Sequence, residues 1–263
     1  MVHGLEKFRA YFEDCTNQYV FIGGTACDIL MGELGAPFRA TKDLDIVLII
    51  EALDASFGEI FWRFIEDGGY EHREKTDGRN QFYRFTGPKD SSFPKMIELF
   101  SKQPGNLELK FESGLTPIPI DESIVSLSAI LLNDVYYDTL VKGKRTVDGY
   151  SLIDLETVIL FKVKAWLDMK ERKDAGELFD MKNVRKHKND VFRLLANVSP
   201  ASRVEIAEEI RKDIVQFMGK IKEDKPDLLN LGIKDVSLDE LLIILRDVFL
   251  EKTEIMDKED GHH

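Results

Sequence analysis

Cysteine is scarce: Cys15 and Cys27 are the only two in a chain of 263 residues. They fall in different predicted elements and match no metal spacing, and a scaffold built on disulfides needs more of them. A reducing, cytoplasmic setting is therefore expected. Apolar runs approaching a membrane span are absent, and the opening MVHGLEKFRAYFEDC has no apolar signal core. These absences predict a soluble, unprocessed protein with no membrane partner, in which the terminal GHH reads as the remnant of an expression tag. Positive charge is also short. Lysine and arginine number 36 against 48 acids, a net charge of -12, the wrong sign for wrapping duplex nucleic acid by phosphate neutralisation. Any nucleic-acid contact has to use a local basic patch.

What is present is a chain with 43% hydrophobic residues, enough for one large or two modest cores. LEKFRAYFEDC has helical spacing, and YVFIGG is a short apolar run closed by glycines. TACDILMGELG then reads as a helix from residue 25 to residue 35. DLDIVLII predicts a strand, and DASFGEIFWRFIEDGGY a helix that starts near Asp54 and closes at Gly68 and Gly69. NQFYRFTG and KMIELFSK predict two more strands. Residues 102 to 123 read as a hairpin or an irregular connection, and ILLNDVYYDTLVKGKRTVDGYSLI as two or three short strands joined by KGK and DGY turns. From Asp154 the pattern becomes helical: DLETVILFKVKAWLDMKER, NDVFRLLANV, a helix opening at Ser199-Pro200, and one capped by Ser237 with Glu240. The expected class is α+β, a mixed sheet flanked by helices over residues 1–154 followed by a helical domain over 155–263 that closes a cleft.

One stretch stands out chemically. In RATKDLDIVLII, alternation along a strand puts Asp43 and Asp45 on one face and Leu44 and Ile46 on the other. Two neighbouring carboxylates repel, so one must take a proton unless solvent screens the pair or a cation sits between them. Hard oxygen ligands with no His or Cys nearby in sequence suit Mg2+ or Mn2+. Upstream, FIGG ends a strand at Gly23 and Gly24 with a helix following. Glycine lets the backbone approach a ligand, and a helix N-terminus offers N–H groups to phosphate. Downstream, Glu98 lies between Ile97 and Leu99 in an apolar strand, where a carboxylate needs a partner. If that strand pairs beside DLDIVLII, Glu98 can face the two aspartates.

The run Ile22-Gly23-Gly24, Asp43-Leu44-Asp45-Ile46 and Ile97-Glu98-Leu99 resembles the nucleotidyltransferase superfamily that includes DNA polymerase beta. GGTA followed by RATKDLDI is similar, more narrowly, to the AbiEii/AbiGii-type toxin branch, whose Arg and Ser/Thr before the acidic pair are matched by Arg39 and Thr41. The resemblance implies a nucleotidyltransferase fold. It also implies metal held by Asp43, Asp45 and Glu98, and nucleotide held by Gly23, Gly24, Thr25, Arg39 and Thr41. On the helix from Leu155, Lys162 interrupts a stripe formed by Leu155, Val158, Ile159, Trp166 and Met169. Its ammonium either snorkels to water or enters the cleft as a point charge for a triphosphate. The branch's Lys-x-x-Ala helix, matched by Lys162 and Ala165, favours the cleft, with Arg172 as the following basic residue. For a later Lys/Arg-x-Asp motif the candidates are Asp174, Asp180 and Asp190; Asp190, with Lys188 nearby, is favoured. The cluster Arg185, Lys186, His187 and Lys188 reads as a solvated face, in which His187 is a possible base.

The residues and the resemblance together predict metal-dependent transfer of a nucleoside monophosphate from a nucleoside triphosphate, and the resemblance further implies a toxin with a cognate antitoxin and a tRNA or protein acceptor. The rival reading is a nucleotide-binding or protein-interaction module on the same fold without turnover.

Overall fold

A computed structural model describes residues 2–71, 83–102, 130, 133–177 and 181–251. Among them, six strands form one mixed sheet in the order β3-β4-β2-β1-β6-β5. The strands are β1 (Tyr19–Phe21), β2 (Asp43–Leu48), β3 (Tyr83–Thr86), β4 (Met96–Ser101), β5 (Lys144–Val147) and β6 (Tyr150–Ile153). β1 pairs antiparallel with β2 and parallel with β6, while β2 and β4 run parallel. The helices before residue 154 are α1 (Leu5–Phe12), α2 (Gly23–Glu33), α3 (Ala55–Gly68) and α4 (Asp134–Lys142). From Leu155 onward every described element is helical: α5 (Leu155–Asp174), α6 (Met181–Leu195), α7 (Glu208–Ile221) and α8 (Leu238–Phe249). No described helix is long and apolar enough to cross a membrane. The mixed sheet flanked by helices is the class expected from the sequence.

Alternation along β1 divides the two sides of the sheet. Tyr19 and Phe21 meet Phe8 of α1 at ring distances of 5.2 and 5.1 Å, and Phe8 in turn meets Phe64 of α3 at 5.6 Å. This aromatic layer seals one face, because each fully buried ring removes a large apolar area from water. The other face carries Asp43, Asp45 and Glu98 and is covered by α2 and α5, which pack on each other.

Three local expectations need correction. DVYYDTLVK forms α4, not a strand, although Val and Tyr favour strands. Asn133 decides the matter by accepting from the N–H groups of Val135 and Tyr136 at 2.9 and 3.2 Å, an N-cap worth about 1 kcal/mol. The DGY turn does join β5 to β6 as expected, with Asp148 and Gly149 at positive φ. Second, no helix opens at Ser199-Pro200. Ser202 N–H turns back to Ser199 C=O and Val204 N–H bonds Val248 C=O, so α7 starts only at Glu208. Third, α6 begins at Met181 instead of near Asn189, which makes Lys186, His187 and Asp190 part of one helix. The capping box of Ser237 and Glu240 is present. Residues 103–129, the start of NQFYRFTG, Asp180 and the terminal GHH lie outside the described residues.

Asp190 ties α6 to the rest. Its side chain is fully buried, accepting from Arg39 Nε at 3.0 Å and NH2 at 2.8 Å and from Lys162 Nζ of α5 at 3.1 Å. Burial alone would raise its pKa, but Lys162 and Arg39 hold the carboxyl below the ordinary range. Asp190→Ala would strand the buried Lys162 and the part-buried Arg39, at a cost of about 3–5 kcal/mol, read as a lower urea midpoint. Because the folded pKa is depressed, this stabilisation is complete above the ordinary carboxylate pKa. In wild type it fades as pH falls below about 4, which narrows the gap to Asp190→Ala.

Candidate active site

The register of the parallel pair β2 and β4 sets Asp45 beside Glu98 and Asp43 beside Met96. Asp43, Asp45 and Glu98 thus share the face that lines a cavity of about 260 Å³. Glu98 is only 5% exposed. Burial raises the pKa of all three acids; for Glu98 the charge of Asp45 adds to it, and for Asp45 that of Asp43. Glu98 reaches about 8 and shares a hydrogen bond with Asp45. Arg84 of β3 stands opposite Glu98 across the antiparallel pair. Its Nε and NH2 both reach Glu98 Oε1, at 2.7 and 2.6 Å. Arg84 was not singled out in the sequence, although a cation in the apolar strand YRFT was the available signal.

The glycine corner has a sharper role than turn formation. α2 starts at Gly23, with φ of +59°, and a side chain there would collide with Asp45 Oδ2, while one on Gly24 would collide with Thr41 Oγ1. Only residues without a Cβ let both groups come this close. Gly24 N–H donates to Asp45 Oδ2 at 3.3 Å, so the first turn of the helix faces a carboxylate. Thr41 lines the cavity. Thr25 does not: it is fully buried and its hydroxyl donates to the Asp43 carbonyl at 2.7 Å, fixing helix to strand.

Helices α5 and α6 supply the facing wall with Val158, Phe161, Lys162, Ala165, Lys186 and His187. Lys162 therefore enters the cleft, as the resemblance implied, but its ammonium is held by Asp190. Arg39 also lines the cleft and is likewise bound to Asp190. Asp190 acts through these two cations and does not line the cavity. Arg172 is not brought to the cleft; in the last turn of α5 it pairs with Glu177 at 2.6 Å. Lys188 turns away to Asp224, and Asp174 ends α5 outside the cavity lining. Sequence reading placed Lys186 and His187 on a solvated face, because the start of their helix was missed.

No three His, Cys, Asp or Glu side chains form a ready metal cage among the described residues. Mg2+ does not require one, since it commonly uses one or two carboxylates with water and substrate phosphates. Asp43 and Asp45 fit that requirement: two neighbouring acids on one face, each with a raised pKa, both lining the cleft. Glu98, clamped by Arg84, is bound to the pair through Asp45.

No protein-family model matches the chain, and no curated protein sequence does. Among solved structures the chain is similar to an antigenic nucleotidyltransferase-like protein from Paracoccidioides brasiliensis. The identity is 14%, over 91% of this chain and 98% of that one, with a TM-score of 0.42. The antibiotic-resistance factor ANT(2'')-Ia is similar at 11% identity, over 84% and 93% of the two chains, with a TM-score of 0.38. JHP933 from Helicobacter pylori is similar at 14% identity, over 92% and 87%, with a TM-score of 0.42.

Proposed function

We propose that this chain is a metal-dependent nucleotidyltransferase that moves a nucleoside monophosphate from a nucleoside triphosphate to an acceptor hydroxyl. The observation that carries the reading is the register of Asp45 against Glu98, with Asp43 on the same face and the Gly23-Gly24 helix start against Asp45. Asp43 and Asp45 would hold Mg2+ or Mn2+, which screens phosphate charge and makes the acceptor hydroxyl more acidic. Gly23, Gly24 and Thr41 shape the wall against which phosphate oxygens lie. A cation at Asp45 would offset the charge that raises the Glu98 pKa, so that Glu98, held by Arg84, could ionise and take the proton from the acceptor. Lys162 and Arg39 set the positive potential of the opposite wall while Asp190 keeps them in place. Rate then derives from positioning and electrostatics more than from covalent catalysis.

The finer reading is a toxin of the AbiEii/AbiGii type, with tRNA or protein as acceptor and a cognate antitoxin. It is supported by Arg39 and Thr41 ahead of the acidic pair. One observation favours a second reading, a nucleotide-binding module without turnover: Glu98 is already engaged by Arg84.

Incubation with labelled nucleoside triphosphates, Mg2+ and total tRNA or protein separates the two. Transfer should be lost on chelation and fall at least about 100-fold in the double variant Asp43→Asn, Asp45→Asn. Unchanged transfer in that variant would exclude the assignment, and binding without transfer in wild type would establish the module.

Glu98 gives a second expectation. Its folded pKa lies above the unfolded value, so without metal the wild type loses stability as pH rises from about 4.5 to about 8. Glu98→Gln should escape that loss, and its melting temperature relative to wild type should climb across this window and level off above it. A gap that stays flat with pH would show that Glu98 titrates normally.

A further inference from the structure

Four cationic side chains line the cleft: Arg39, Arg84, Lys162 and Lys186. Three are committed, Arg39 and Lys162 to Asp190 and Arg84 to Glu98. Lys186 makes no ion pair or hydrogen bond among the described residues. It is exposed, yet it stands near enough to the acids that, after burial, it is the foremost charge acting on Asp43. An unpaired ammonium facing two aspartates across a cleft is an unusual use of charge. It closes no salt bridge with them among the described residues, and Arg39 and Lys162 repel it.

His187 is the next residue on α6 and lines the same cavity. Its Nδ1 is buried without a partner among the described residues. A buried N–H without an acceptor is less tolerable than a buried lone pair, so the ring proton belongs on Nε2. Burial and the charge of Lys162 keep the ring neutral, with its pKa lowered to about 3. The pair Lys186 and His187 therefore offers one mobile cation and one neutral N–H donor. An anion with several oxygens matches both, and a divalent cation at Asp43 and Asp45 would offset the pull of those acids on Lys186.

We infer that Lys186, with His187 beside it, binds the phosphate tail of the substrate from the helical wall, while Lys162, held by Asp190, acts there only through its field. The inference rests on the proposed transfer reading only for the identity of the molecule that carries the phosphates.

The test is calorimetric binding of inorganic tripolyphosphate and of a non-hydrolysable nucleoside triphosphate, both with Mg2+. Lys186→Met should weaken both by about 10- to 100-fold, the range for losing a charge-assisted contact, with no change in unfolding midpoint. His187→Phe should weaken both by up to about tenfold. Lys212→Met, which removes an exposed charge on α7, should change neither. Equal tripolyphosphate affinity in Lys186→Met and wild type overturns the inference. If wild type binds tripolyphosphate, loses it in Lys186→Met and yet transfers no nucleotide, the phosphate site stands and the transfer reading falls. Wild type that binds neither ligand overturns both.

Discussion

Buried carboxylates in a protein that is already acidic are the constraint around which the rest is arranged. Glu98 and Asp190 are buried and Asp45 is part-buried beside Glu98, in a chain with a net charge of -12. Each such charge is costly unless paired or protonated. The fold resolves them differently. Asp190 receives Arg39 and Lys162 and stays ionised, as a joint among a loop, α5 and α6. Among the described residues Glu98 pairs with Arg84 and Asp45 accepts one helix N–H, while Lys162 acts on Asp45 only at a distance, and both acids keep raised pKa values. The deficit remains where a cation can correct it. The fold thus neutralises Asp190 far more completely than it does Asp45 and Glu98.

Much of this was legible in the residues. Strand alternation put Asp43 and Asp45 on one face, the interruption of an apolar run marked Glu98, and helical spacing put Lys162 on an inward stripe. Each is a short-range pattern with a fixed period. The pairing of β2 with β4, on which the convergence of the three acids depends, was an inference from order along the chain and is met in the structure.

What escaped the sequence was decided by contacts distant along the chain or by local caps. Asn133 converts a Val- and Tyr-rich run into α4. Val204 bonds Val248 and keeps the segment after Ser199 out of a helix. Arg39 and Lys162 read as substrate cations because the acid that binds them, Asp190, stands 151 and 28 residues away. Thr25 read as a phosphate ligand because its true acceptor is a backbone carbonyl, which no sequence pattern displays.

The position of β1 has a consequence for a shortened chain. This three-residue strand lies inside the sheet, bonded to β2 on one side and to β6 on the other, where Phe21 meets Leu152. β1, β2, β3 and β4, and with them all three acids, all precede the far flank of β5 and β6 along the chain. Arg39 has no carboxylate to bind until Asp190 follows. A chain cut short before α6 would therefore carry all three acids without the α6 side of the wall that faces them.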